Sequence, residues 1–141
     1  MRRALALAPM AALSFVAAFA GAASAETWTK YVDSAGGIQW SYDADALYKD
    51  KQTGRLVVMQ AVSKPEAKLG PSAPGKPDGV GNVVAVDCAK KTLIMLGSYK
   101  PDQPLSIKTS WRSDTPKKAD GPDNAALLAA VCPHVAMVPV K

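Results

Sequence analysis

The chain has 141 residues and a formal net charge of +5, from 17 basic and 12 acidic side chains, with one histidine and two cysteines. A single histidine, His134, leaves neither a catalytic triad nor a multi-histidine metal centre to build within one chain. The positive charge falls in small separate groups, Lys49 and Lys51, Lys90-Lys91 and Lys117-Lys118, which reads as solvated turn charge and against a nucleic-acid surface.

The first segment, MRRALALAPMAALSFVAAFAGAASA, has a basic start at Arg2-Arg3, an apolar run from Ala4 to Ala20 and a small-residue site at Ala23-Ser24-Ala25. That is the pattern of a secretory leader, 1–25, cleaved before Glu26. The Ala-rich run is interrupted by Pro9, which argues against an uncleaved anchor, and Glu26 stands where a lipid-anchored leader needs cysteine. Arg2-Arg3 lacks the polar lead-in of a twin-arginine signal, so general secretion is expected. The remaining residues, 26–141, suffice for one domain with one modest core.

Beyond the leader the pattern has period two. ETWTKYVD sets Trp28, Lys30 and Val32 on one face and Thr27, Thr29 and Tyr31 on the other. Gly36-Gly37 predicts a turn into IQWSYD, with Ile38, Trp40 and Tyr42 on a common face. A polar stretch follows, with a short strand or turn at 46–49 and a tight turn at Thr53-Gly54. Arg55 to Ser63, RLVVMQAVS, is a rich β run.

The segment 64–81 carries Pro65, Pro71, Pro74 and Pro77 together with Gly70, Gly75, Gly79 and Gly81, which excludes regular structure for most of it. Its plain reading is a strand connection. Its functional reading is a binding loop, with Lys64, Lys68, Lys76 and Asp78 as the polar contacts. The GVGN start at Gly79 resembles a dinucleotide loop but lacks the third glycine, and it leads into a strand where that motif needs a helix.

NVVAVDCA and TLIMLGSYK predict two strands joined at Lys90-Lys91, and PLSIKTSW continues the alternation with Leu105, Ile107 and Thr109. One helix is expected near the end. Asp120 or Gly121 caps it, Pro122 suits its first turn, Asp123 complements its positive end and Pro133 stops it. Leu128, Val131 and Cys132 fall at i, i+3 and i+4, so Cys132 belongs to the buried face. The tail HVAMVPVK reads as an extended edge.

Export puts both cysteines where disulfides persist, and without a CxxC neither a redox motif nor a zinc knuckle has its spacing. A Cys88–Cys132 bridge from the sheet to the last helical turn is therefore expected, with a stabilisation of about 4 kcal/mol in the chain-entropy model.

The remaining chemistry is thin. His134 and Met137, with Met59 and Met95, suggest soft copper ligands, although Met59 and Met95 sit in apolar β runs and read as core fillers. Asp43 and Asp45 read as turn formers rather than a catalytic pair. Trp28, Trp40 and Trp111 read as core or sheet-face anchors. The expectation is a protein that is not an enzyme and uses no cofactor.

The order of these features resembles the surface-adhesin protein E family of small exported Gram-negative proteins. The matching parts are Trp28, the WSYDADAL strand end, Asp87-Cys88, Trp111 followed by Pro116, and a final helix ending in Val131-Cys132. The resemblance implies an α+β fold, a curved antiparallel sheet of about six strands with one C-terminal helix tied to its concave side. It also implies binding to a host matrix or serum protein, and a homodimer as one oligomeric option. This chain departs from the pattern in lacking a lipid-anchoring cysteine, so no stable membrane anchor is expected after cleavage, and in lacking a tryptophan in RLVVMQ. Two further readings stand beside an adhesin-like module: an inhibitor or chaperone-like partner of an envelope enzyme, and a periplasmic metal binder through His134 and methionines.

Overall fold

The computed structural model describes residues 27–63, 80–99 and 105–141. The expected leader lies outside the described residues, as does the stretch 64–79 that holds Lys64, Lys68, Lys76 and Asp78.

The described chain forms an antiparallel sheet of seven strands and one C-terminal helix. The strands are β1 (Trp28–Ser34), β2 (Ile38–Asp43), β3 (Tyr48–Lys49), β4 (Leu56–Ser63), β5 (Val80–Asp87), β6 (Thr92–Tyr99) and β7 (Lys117–Lys118), and the helix is α1 (Pro122–Val131). The spatial order is β1-β2-β4-β5-β6-β7, with β3 also paired to β4. The short strand expected within 46–49 is β3, and the strand beyond the expected six or so is β7, whose two residues are too few to register as a pattern in sequence. A strand, β5, does follow Gly79, which disposes of the dinucleotide-loop match.

Why β4 and β5 read as continuous apolar runs is explained by cover on both faces. Leu56, Val58, Val84 and Val86 point to the helix side, where Leu127, Leu128 and Val131 meet them with Tyr42 and Leu47. Val57, Met59, Ala61, Val83 and Ala85 point the other way, onto Ile94, Leu96 and Trp111. A strand covered on one side only would alternate with polar residues. Both faces here are buried.

Two bulges modify the expected alternation, and such insertions bend the strand that carries them. The register shifts between Lys30 and Val32, so Val32 pairs with Trp40 and joins the face of Tyr42 rather than that of Trp28. Tyr31 packs against the helix-side core, and Trp28 against the other. A second shift separates Val83 from Val84, opposite Leu96. Met95, which pairs with Val84 on the helix side, is 50% exposed and not the core filler that the sequence suggests. Its strand lies toward the sheet edge, where the helix-side core lacks β6 side chains.

The helix begins as its sequence dictates, with Gly121 at the cap and Pro122 in the first turn. It is fixed at both ends. Ser34 Oγ, at the end of β1, donates to Asp123 Oδ1 at 2.8 Å. At the other end Cys88 and Cys132 are bonded, their Cα atoms 5.8 Å apart, within the usual disulfide range. Cys88 sits one residue past β5, in the turn to β6, and Cys132 opens a 3-10 turn, Cys132–His134.

Two extended segments expected from sequence take other forms. The tail turns through Met137 before Pro139 and Lys141 pair with Lys49 and Lys51. Residues 105–108 form no strand; Lys108 N donates to Leu96 O at 2.8 Å, and Trp111–Ser113 makes a 3-10 turn that inserts Trp111 into the core. The segment lies against Gly97, where an added Cβ would stand 2.0 Å from Ser106 O. Only a residue without a side chain admits that approach.

Candidate functional site

Asp43 and Asp45 serve the turn. Asp43, buried, accepts from Thr27 N at 3.1 Å and Asp45 N at 3.0 Å, while Asp45 accepts from Thr27 Oγ1. Their oxygens therefore stitch the entry of β1 to the exit of β2, the local bonding that makes aspartate a turn former.

Beyond that turn lies an open cleft of about 360 Å³ lined by Tyr42, Asp45, Leu47, His134, Met137 and Pro139 among others. It separates the β2–β3 connection from the C-terminal tail. The β2–β3 wall is held by the Asp43 and Asp45 hydrogen bonds, and the tail wall by a covalent bond as well. The tail wall starts at the disulfide and ends in a short ladder: Lys49 N donates to Pro139 O at 2.8 Å, Lys51 N to Lys141 O at 2.8 Å, and Lys141 N to Lys49 O at 3.0 Å. On that wall Met137 is 75% exposed. The cleft brings His134 and Met137 together, whereas Met59 is buried on the opposite sheet face and Met95 stands on β6. The four soft ligands of the copper reading are thus dispersed by the fold.

A second polar centre was not legible in sequence. Asp50 is only 1% exposed, yet it is fully bonded. Thr53 donates to it through N at 2.9 Å and Oγ1 at 2.7 Å, and Arg112 through Nε at 3.1 and 3.2 Å and through Nη2. The Arg112 hydrogen bonds hold the carboxyl down to about 2, against the cost of burial. The guanidinium also stacks over the Trp111 ring, 4.8 Å from its centroid. Neighbouring Tyr48 is raised, first by burial and then by the Asp50 charge. This centre clamps the 50–55 turn to the 3-10 segment, and both oxygens of its carboxylate accept structural hydrogen bonds. Tyr31 is likewise structural: burial raises its phenol, with the Asp123 charge adding to it, and its hydroxyl donates to Gln60 Oε1 at 3.1 Å.

Among the described residues no group of three or more His, Cys, Asp or Glu side chains forms a metal-binding cluster, and no helix is long and apolar enough to cross a membrane. No family model, curated protein or solved structure matches the chain.

Proposed function

We propose that the chain is an exported, non-catalytic protein-binding module of the cell envelope, adhesin-like in the sense of the surface-adhesin protein E family. The observation that carries this reading is Met137, a large apolar side chain three-quarters exposed on a backbone tied at both ends, lining an open cleft. Interface anchors have this character: apolar or aromatic, adjacent to a pocket, and fixed before the partner arrives, so that little ordering entropy opposes binding. Methionine is enriched at such surfaces because it adapts its shape to the partner. The leader-like start and the disulfide agree with an oxidising location outside the cytosol.

The partner expected is a protein of the host matrix or serum, or of the envelope itself. The test is a binding panel of purified matrix and serum proteins and of envelope fractions, run against the oxidised chain and against Met137→Glu. A cognate partner should lose about tenfold or more in affinity, the effect of a hot spot worth above 1 kcal/mol, while the melting temperature holds. Equal binding by the variant and the parent would remove this site from the interface.

A further inference from the structure

The two lysine pairs that look scattered in sequence meet at one corner of the fold. β7 pairs with β6 through Thr92–Lys118 and Leu93–Lys117, and Ala119 N donates to Lys91 O at 2.9 Å. Lys90, Lys91, Lys117 and Lys118 are all exposed there. Beside them opens a cavity of about 340 Å³ between α1 and the β5–β6 turn, lined by Cys88, Lys91, Ala119, Ala125, Leu128 and Cys132, with Ala129 completing the wall. Its size falls at the small end of cavities that hold a single organic ligand. Apart from Lys91 its lining side chains are aliphatic or disulfide sulfur.

From this juxtaposition we infer a binding site for a free single-chain fatty carboxylate, its alkyl tail in the cavity against the disulfide and its head group among the lysines.

The charge arrangement selects an anion. The register sets Lys117 beside Leu93, whose partner Val86 faces the helix, so Lys117 shares the cavity's side of the sheet with Lys91. The acidic side chains of this corner are Asp87 and Asp120. Asp87 accepts from Lys90 N and is 3.9 Å from Arg55, and Asp120 is exposed at the lead-in to the helix. On the cavity's side stand Lys91 and Lys117, whereas Lys118, paired with Thr92, shares the opposite face with Asp87, whose carboxylate lies 3.9 Å from Arg55. Lys91 also adopts a φ of 52°, the left-handed region that a lysine enters at some steric cost. The apolar wall supplies the second half of the recognition, since burial of methylenes out of water favours a tail in proportion to its area. A cavity of this volume suits one chain, not a bilayer surface.

This site is separate from the Met137 cleft, so the two proposals stand or fall independently. The probe is sodium decanoate added to the oxidised chain, with decanol as the uncharged tail and acetate as the tail-less charge. Saturable decanoate binding is expected by calorimetry, with severalfold slower reduction of Cys88–Cys132 by a thiol, because thiol attack needs access to a sulfur. The double variant Lys91→Glu with Lys117→Glu should bind decanoate about tenfold more weakly, as reversal of exposed charges predicts. Ala129→Phe, which fills the cavity from an exposed helical position, should abolish binding with an unchanged melting temperature. Decanoate no better than acetate, decanol equal to decanoate, or full binding by Ala129→Phe would each overturn the assignment. So would binding to anionic vesicles that decanoate does not displace, which would give the lysines to a membrane surface.

Discussion

The two faces of the sheet are closed by different chemistry. On the helix side, α1 covers Tyr42, Leu56, Val58, Val84 and Val86 and is fastened by a covalent bond. On the opposite side, a segment without regular structure beyond one 3-10 turn covers Val57, Val83, Ile94 and Leu96 through Trp111, fastened by the Asp50–Arg112 ion pair. The helix cover satisfies most of its own backbone and needs only docking. The irregular cover must satisfy its backbone bond by bond, at Leu96 O and within the 110–114 turn. One face therefore answers to redox state and the other to pH and packing.

The largest effect should come from the covalent side. Replacing both Cys88 and Cys132 by alanine removes a constraint worth about 4 kcal/mol in the chain-entropy model. A helix of ten residues is marginal without docking, so α1 should release first. Thermal melts with and without reductant check this. Reduction should reproduce the double variant, and near-equal melting temperatures for the oxidised and reduced forms would show that packing alone holds the helix.

Next in size is the ion pair. Arg112→Leu leaves the Asp50 carboxylate buried beside Thr53 with its cation gone, an expected fall in melting temperature smaller than that of the cysteine pair because the arginine side chain is partly exposed. The pH dependence has a definite sign. The folded carboxyl lies near 2 and its ordinary value is 3.8, so its contribution is complete above that value and is lost as pH falls through 2. Linkage caps that contribution at about 2 kcal/mol, and the solvent that reaches Arg112 lowers it. Urea melts of the parent between pH 5 and pH 2 should show the decline, and Asp50→Asn should flatten it. An unchanged slope in Asp50→Asn would place the acid sensitivity elsewhere.

The difference between the faces also explains what was legible beforehand. The helix, its cap at Gly121, its proline stop and its cysteine partner announce themselves by spacing and by local chemistry. The long strands do so by composition. The opposite cover does not, because its fastening residues are 62 positions apart and each looks ordinary: Asp50 sits in a polar turn and Arg112 follows a tryptophan. Of the alternating Leu105, Ile107 and Thr109, only Ile107 packs partly against the core, Leu105 and Thr109 are exposed, and the segment pairs as no strand. The lysine corner escaped for the same reason: β7 has two residues, and so short a strand leaves no pattern to read. Met137 was visible as a ligand type, while its exposure depends on a tail ladder with no sequence signature.

The smallest expected effect probes the other end of the helix and sharpens the contrast. Ser34 Oγ donates to Asp123 Oδ1 across 89 positions, tying the first turn of α1 to the end of β1. Ser34→Ala deletes one partly buried hydrogen bond to a charged acceptor and should cost about 1 kcal/mol in the oxidised protein. In the oxidised chain the disulfide keeps the helix near the sheet even when this contact is lost. In the reduced chain the same substitution removes a remaining polar tie, so α1 frays from both ends. Hydrogen exchange at the amides of Leu127 and Leu128 separates the cases. Protection should fall modestly for Ser34→Ala when oxidised and much further when reduced. Equal losses in the two redox states would mean that the ends of the helix act independently, and that the covalent tie does not support the docking of its first turn.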